Sequence, residues 1–281
     1  MSLGAGRERG IAIVAALWAS AIVAVIVMSV LQLVRADARV GVGREERVTL
    51  NAIADAAINL TILGMLEPDA AKWPVNSKPI TVPFDGHEVL VRIEDEAGKI
   101  DLNTTGLATL RDLLTVAGLE SDAARQLADA ILAWHQGRRG EGDAPSATAA
   151  SYANRSYGPR NAAFQSVEEL QLVSGMTPEL YRRLRPLVTV YSQTPWIDPA
   201  FASAGVLAVF RTTNANADAA LRRREAESRG AAEPPARGVT LGHAFTITAE
   251  LTGPAAARVV RTAIIRLTGN PQAPLLIYKW G

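Results

Sequence analysis

A charge-free apolar run from Ile11 to Val34 constrains this chain more than any other feature of the sequence. As a helix with a rise of about 1.5 Å per residue it would be about 36 Å long, and a bilayer's hydrocarbon core is about 30 Å thick. A single charge at the centre would cost about 2.5–3.5 kcal/mol on insertion scales. The run therefore predicts a helix that spans a membrane.

Three interpretations of this segment are open. A cleaved secretory signal has a much shorter apolar run, although Ala36-Asp37-Ala38 resembles its cleavage site. A single-pass anchor fits the length. In the third interpretation the charged leader ending at Gly10 is removed by a prepilin peptidase on the cytoplasmic side. Ile11 then becomes the new N-terminus, and the apolar helix is retained.

The helix is predicted to continue beyond the membrane to about Leu66. A charged stretch follows Val34, and apolar residues then return at spacings of three and four, which is one face of a helix. No proline occurs before Pro68. The predicted helix thus has a first half in lipid and a second half packed on a folded domain.

Strand patterns flank a helical middle. The sequence "ITVPF", the turn Asp85-Gly86 and "HEVLVRIE" predict a hairpin, with Pro83 favouring an edge strand. Three strand-like segments close the chain: "HAFTITAEL", "RVVRTAIIRL" and "LLIYKW". We therefore expect an α+β fold with a long N-terminal helix packed on an antiparallel sheet and a large inserted all-α domain. The expected ranges are a leader at 1–10, the helix at 11–66 (11–34 in the membrane), the sheet at 67–100 and 238–281, the insertion at 101–195, and a connecting segment with a charged linker at 196–237.

The middle region contains an internal repeat. Gly118 and Gly175 occupy equivalent positions in its two copies, and each is preceded and followed by apolar residues at matching positions. Each copy is predicted to be a helix, a turn in which the glycine ends the first helix, and a second helix capped by Ser121 or Thr177. Asn103 is the expected N-cap of the helix that begins near Thr105.

Composition excludes several function classes. The chain has no cysteine, which excludes disulfides and thiolate chemistry, and its net charge of +1 gives no field that would steer it to nucleic acid. The histidines at 87, 135 and 243 have no spacing typical of a catalytic or metal site, and we expect them at the surface. We expect no enzyme activity.

The order of these elements, together with "DEAGKIDLNT" and "SVEELQLVSGMTPELYRRLRPLVTVYS", resembles the K-type minor pseudopilins of bacterial type II secretion systems. The resemblance covers essentially the whole chain. It implies a pilin-like fold with an inserted α-domain, cleavage of the Gly10–Ile11 bond by the prepilin peptidase and N-methylation of Ile11. It also implies a single-pass inner-membrane protein with a periplasmic C-terminal region. Such a protein caps the pseudopilus tip with the I-type and J-type minor pseudopilins, works with other inner-membrane components of the system and takes part in export.

Two further sites bear on assembly and metal binding. Most pilins carry Glu at the fifth mature position, which is Ala15 here. Its absence resembles the K-type members and suits a subunit with no neighbour above it, because a carboxylate in a membrane needs a partner. Calcium is associated with the family's α-domain, but the corresponding loop offers only Glu141 and Asp143, whereas calcium takes about 6–8 oxygen ligands. We expect no cofactor, with calcium at Glu141 and Asp143 as the alternative, and we interpret Glu94, Asp95 and Glu96 as a solvated strand end.

The alternative function is DNA binding by a membrane-anchored, periplasmic helical-hairpin protein, as in competence. Paired helical hairpins can bind phosphates through the backbone N–H groups of their turns. Here Glu120 stands where a second glycine would allow the backbone to approach a phosphate. We therefore expect no nucleic-acid partner.

Overall fold

The computed structural model describes residues 7–67, 73–75, 78–136, 152, 155–210, 218–219, 222, 238–253 and 258–281, without the side chains of 7–13 and 30–45. Its first element is a single helix of 60 residues, α1 (Arg7–Leu66). The long helix predicted from the sequence is confirmed. Among its described side chains, those of the last third pack on the rest of the protein, through buried apolar residues from Leu50 to Met65 at helical spacing.

A five-stranded antiparallel sheet covers this part of α1. Its strands are β1 (Ile80–Phe84), β2 (His87–Asp95), β5 (Ala244–Thr252), β6 (Arg258–Leu267) and β7 (Leu275–Trp280), in the order β1-β2-β5-β6-β7. The predicted hairpin and three terminal strands are confirmed. Asp85 and Gly86 have φ of 48° and 73°. A type I′ turn requires such positive values at both central residues. Pro83 lies on the edge strand β1, as predicted. We call this sheet, with Glu46–Leu66 of α1, the body.

The helical middle of the chain is inserted between two neighbouring strands. The chain leaves the sheet at Asp95 and returns in β5, where Phe245 is the register partner of Asp95. The insertion contains helices α2 (Leu107–Val116), α3 (Ser121–Gln136), α4 (Pro178–Leu184) and α5 (Ala204–Phe210). Two short strands, β3 (Ile100–Asp101) and β4 (Val188–Thr189), pair in parallel and join its beginning to its end. We call Ile100–Phe210 the α-domain.

Body and α-domain have separate apolar cores. The body core is formed by α1 and the inner face of the sheet, and the α-domain core by α2 to α5 with β3 and β4; the two share no buried residue among those the structure describes. Helix α5 contributes Val206, Leu207 and Val209 to the α-domain core. The helical core therefore extends beyond residue 195, because these side chains complete its apolar surface.

Three local predictions need correction. The first helix of the second repeat is a 3₁₀ turn, Val167–Leu172, since only six residues separate Ser166 from the extended Val173. Gly106, and not Asn103, precedes α2 as its N-cap. Helix α3 begins at Ser121 itself. Thr177, in contrast, caps α4 as predicted, because its side chain accepts a hydrogen bond of 3.2 Å from the Leu180 N–H.

Candidate functional site

The sequence "DEAGKIDLN", residues 95–103, forms the connection from the sheet into the α-domain, and we call it the junction. Asp95 ends β2, a 3₁₀ turn follows at Glu96–Gly98, and β3 contains Asp101. The turn lies against the segment after β4: a Cβ on Gly98 would be 2.5 Å from the carbonyl carbon of Phe201, so a larger residue requires the backbone to shift. The Asp198 N–H also donates to the Ala97 carbonyl, at 2.8 Å.

Glu96 is the centre of a buried polar cluster that joins the body to the α-domain. Its carboxylate accepts hydrogen bonds from Lys99 and Thr246, each at 2.7 Å, and from the hydroxyl of Thr189. Thr246 lies on β5 of the body, whereas Thr189 lies on β4 of the α-domain. Burial would lower the pKa of Lys99, but the carboxylates of Glu96 and Glu94 outweigh it and raise that pKa. Lys99 thus stays charged and compensates the buried Glu96.

Asp95, where the chain leaves the sheet, is paired with His243, where the chain returns to it. One carboxylate oxygen lies 2.7 Å from Nδ1 of His243, and the other accepts the Ala97 N–H at 2.8 Å. Burial raises the pKa of Asp95, and the hydrogen bond from His243 offsets part of that rise. The predicted solvated strand end is wrong, because Asp95 and Glu96 are only 4% and 2% exposed. The inserted domain covers the polar end of β2 and takes it out of solvent.

Asp101 and Asn103 hold loops within the α-domain. The Asp101 carboxylate accepts the N–H groups of Asn103 and Gln193, each at 2.8 Å. Gln193 has a φ of 60°. This left-handed conformation is uncommon for a residue other than glycine, and the bond to Asp101 helps to fix it. Asn103 exchanges two hydrogen bonds with the backbone of Phe164, at 2.7 and 3.0 Å, and so fastens the chain that leads into the second repeat.

The two glycine turns of the repeat pack against each other's second helix. Gly118 and Gly175 have φ of 98° and 91°. Gly118 follows the last residues of α2 and ends that helix, as predicted. Gly175 does not end a helix, because the extended Val173 already closes the 3₁₀ turn before it. Arg183 on α4 donates to the Ala117 carbonyl at 3.0 Å, and a Cβ on Gly175 would lie 3.5 Å from Leu127 on α3. The repeat therefore builds a single core.

Three amides of the two glycine turns are already hydrogen-bonded within the chain. The N–H groups of Gly118, Leu119 and Met176 donate to carbonyls of the preceding turn, at 2.9, 3.0 and 3.1 Å. Arg183 is used within the domain, and Glu120 is exposed beside the first turn. This geometry disfavours the DNA-binding alternative.

The predicted processing and assembly residues lie in α1. Gly10 and Ile11 belong to the helix, but their side chains lie outside the described part. Ala15 is exposed, as is every side chain from Val14 to Ser29, including Leu17 and Trp18 at 65% and 67%. The hydrophobic surface of this stretch therefore needs lipid or another chain to cover it.

The described part of α1 contains two apolar stretches. Glu46–Leu66 is long and apolar enough to cross a membrane, but half of it is buried against the sheet, which marks it as the core helix of the body. Val14–Ser29 is shorter within the described side chains and fully exposed. Exposure, rather than length alone, marks the second stretch as the candidate membrane segment.

Glu141 and Asp143, the candidate calcium ligands, lie outside the described residues. Within the described ranges, no three His, Asp or Glu side chains are grouped so that they could hold a metal ion. The three histidines were expected at the surface, and each of them is instead half-buried. His135 packs on Phe164 with ring centroids 5.7 Å apart, and His243 pairs with Asp95.

A long N-terminal helix packed on an antiparallel sheet defines the class of this protein as a pilin-like α+β fold. Residues 90–193 match the family described as "Type II secretion system (T2SS), protein K". This range runs from β2 through the junction and ends at Gln193. A chain in the crystal structure of the GspK-GspI-GspJ complex from enterotoxigenic Escherichia coli Type 2 Secretion System has a similar fold. Its TM-score is 0.57 at 15% identity, and the match covers 86% of this chain and 98% of that chain.

A curated relative agrees with the family match. Type II secretion system protein K from Pseudomonas aeruginosa is 30% identical over 150 residues, which is 47% of this chain and 43% of that protein. The match thus spans less than half of the relative's length. The comparisons confirm the resemblance to the K-type pseudopilins, in sequence over residues 90–193 and in fold over most of the chain.

Sequence reasoning missed the partners of the junction motif. Thr189 and Thr246 come from segments far along the chain, so no local pattern connects them with Glu96. One signal was present: the density of charge from Glu94 to Asp101, in a segment between two apolar ones. Such a charge density at a domain boundary is as typical of a paired polar cluster as it is of a solvated turn.

Proposed function

We propose that this protein is a minor pseudopilin that caps the tip of a type II secretion pseudopilus and takes part in protein export across the outer membrane. The observation that carries the proposal is the combination of two features in one chain. An exposed apolar helix extends from a pilin-like body, and a K-type α-domain is inserted between β2 and β5 of that body. The I-type and J-type minor pseudopilins are the proposed partners.

The apolar half of α1 has two proposed roles, one before and one during pseudopilus assembly. It first holds the protein in the inner membrane, with the body and α-domain in the periplasm, and it later packs against equivalent helices in the pseudopilus. A prepilin peptidase cleaves the Gly10–Ile11 bond and methylates Ile11. Because Ala15 provides no carboxylate for a subunit above, the helix is suited to the last position in the fibre. Other inner-membrane components of the system drive the assembly.

The α-domain acts as a steric cap in this proposal. It enlarges the head of the subunit where β2 and β5 end, so that a further pilin-like subunit cannot pack above it. The role requires no catalysis, and we propose a structural protein that is not an enzyme and needs no cofactor.

The register of β2 and β5 offers a clean deletion. Because Asp95 pairs with Phe245, residues 96–244 can be replaced by Asn-Gly, which forms a tight hairpin turn and leaves the sheet order unchanged. We expect this variant to reach the membrane and lose its leader, as the full chain does. In a strain that lacks the native protein it should not restore secretion, and its pseudopili should be longer than those made with the full chain.

A matched control is the single-residue change Gly98→Ala, which disturbs the junction against Phe201 without removing the α-domain. We expect its pseudopili to stay closer in length to those of the full chain. Normal secretion and normal pseudopilus length with the 96–244 deletion would show that the α-domain does not cap the fibre. Loss of the deletion variant from the membrane would instead show a folding defect, which co-purification with the I-type and J-type pseudopilins detects separately.

A further inference from the structure

The α-domain is attached to the body mainly by polar contacts. The two apolar cores share no buried residue in the described ranges, and in the described chain between β2 and β5 only Phe201 and Val239 pack on the body core. A domain with its own core and a small apolar contact is expected to move relative to its neighbour unless other bonds hold it. The polar contacts across this boundary therefore decide where the α-domain points.

Arg266 makes four hydrogen bonds at this boundary, two of them to the α-domain. It lies on β6 of the body, and its guanidinium donates to the carbonyls of Tyr191 and Ser192, just after β4 of the α-domain, at 2.6 and 3.3 Å. It also donates to the Gly242 carbonyl and to the Tyr278 hydroxyl, each at 2.8 Å. One side chain thus joins the α-domain, the returning chain and the edge strand β7.

The neighbouring contacts keep the guanidinium in this position. The rings of Tyr191 and Tyr278 lie 5.4 Å apart, and the guanidinium carbon of Arg266 lies 5.9 Å from the centre of the Tyr278 ring. Lys279 and Glu168 form a second link between β7 and the α-domain, at 3.3 Å, but both are about half exposed. Exposed ion pairs contribute little, about 0–1 kcal/mol, so Arg266 is the stronger link on this side.

We propose that Arg266 is the positioning residue that fixes the orientation of the α-domain on the body. A planar guanidinium with its several N–H groups can reach carbonyls on different segments at once, and an ammonium group cannot reproduce this fork. The orientation is a property of the single chain. Its consequence for capping rests on the function proposed above, since a cap has to be held rigidly over the fibre.

The absence of native cysteine makes the test direct, because two introduced cysteines are the only labelling sites. Nitroxides at Gln126→Cys on α3 and Glu88→Cys on β2 report the distance between α-domain and body. A second pair, Gln126→Cys and Glu179→Cys, reports the interior of the α-domain. Both pairs are measured by double electron–electron resonance on the full chain in lipid nanodiscs, with Arg266→Gln, Arg266→Lys and Arg261→Gln as variants.

We expect one narrow interdomain distribution for the parent chain and a broader, shifted one for Arg266→Gln. Arg266→Lys should also broaden it, since the charge alone does not restore the fork. Arg261→Gln is the matched control: it removes an arginine from the same strand, but one that binds Asp55 within the body, so the interdomain distribution should not change. The intradomain distribution should stay narrow in every variant.

Two results would overturn the proposal. If the interdomain distribution of Arg266→Gln stays as narrow as that of the parent, the Glu96 cluster alone fixes the domain. If the intradomain distribution broadens as well, Arg266 supports the fold of the α-domain and not its orientation. Should Arg266→Gln fail to fold, Arg266→Lys decides between the same outcomes. None of these results depends on pseudopilus assembly, which the 96–244 deletion tests separately.

Discussion

The two halves of α1 are both rich in apolar residues and have opposite surroundings. From Val14 to Ser29 every side chain is exposed, whereas between Leu50 and Met65 the residues on one face are buried against the sheet. The two halves of one helix therefore require different environments. Its second half is stabilised by packing within the chain, and its first half can be stabilised only by lipid or by other subunits.

This contrast separates the hydrophobicity that stabilises the fold from the hydrophobicity that serves assembly. In the second half the apolar residues recur at helical spacing because only one face meets the sheet. In the first half they surround the helix, as is typical of a segment with an apolar environment on all sides. Substitutions in the two halves should consequently affect different measurements.

The strongest effect on folding is expected for Ile58→Ala, in the buried half. Ile58 is fully buried in the body core. Truncation of such a side chain costs about 2–5 kcal/mol. Ile22→Ala, in the exposed half, should leave the free energy of unfolding of the body unchanged, since Ile22 lies outside the body core. Denaturant unfolding in micelles checks both, and equal losses would remove the distinction between the two halves.

The same comparison can be made with a charge. Val23→Arg should impair membrane insertion by about 2.5–3.5 kcal/mol, since the arginine lies near the centre of the apolar run. Val48→Arg is the matched control, because Val48 is 69% exposed beyond the apolar run, and we expect normal insertion. Carbonate extraction of membranes measures the membrane-bound fraction of each. Equal retention of the two variants would argue against a membrane role for the first half.

A smaller effect is expected where α1 meets β6 and β7 through polar groups. The Asp55 carboxylate accepts two hydrogen bonds from Arg261, at 2.9 and 3.1 Å, and one from the Trp280 indole, at 3.0 Å. Asp55→Ala should lower the free energy of unfolding by about 1.5–3 kcal/mol, the range for hydrogen bonds to a charged group. Asp122→Ala, at an exposed site on α3, should change it by less than about 0.5 kcal/mol. Similar values for the two would show that α1 is held by apolar packing alone.

The weakest effect is expected at the junction. There the polar carboxyl of Asp95 is buried, whereas in the first half of α1 apolar side chains are exposed. Because burial raises the pKa of Asp95 above its unfolded value, its contribution to stability is complete at low pH and is lost as pH rises through the folded pKa. The free energy of unfolding of Asp95→Asn, relative to the parent, should therefore increase from acid to neutral pH. Denaturant unfolding of both chains across this range measures the difference. A relative stability that falls with rising pH would mean that the His243 pair outweighs burial.

The elements that could be predicted have a strong local period or a specific turn. The long helix, the Asp85-Gly86 hairpin and the glycine that ends α2 each depend on residues within a few positions. Asn103 shows the limit, because the sequence indicates a helix cap and the side chain instead binds Phe164, 61 positions away. The 3₁₀ turn at Val167–Leu172 has the apolar spacing of a helix but too few residues to form one.

The junction was less predictable than the elements it joins. The motif "DEAGKIDLN" indicates the K-type resemblance, but its charges find their partners on β4 and β5, which only the folded chain brings close. Arg266 gave no signal at all, since an arginine in an alternating strand is typical of a solvated face. The apolar first half of α1, in contrast, was predicted from composition alone.

The mass and location of the mature protein decide whether the apolar helix is retained after processing. We expect a membrane-bound chain whose mass corresponds to residues 11–281 with one added methyl group. The variant Gly10→Val should keep its leader, and the matched leader change Gly6→Val should not. A soluble product that begins at Arg39 would refute this mechanism, since the segment would then be a discarded signal and the apolar half of α1 would be missing from the fibre.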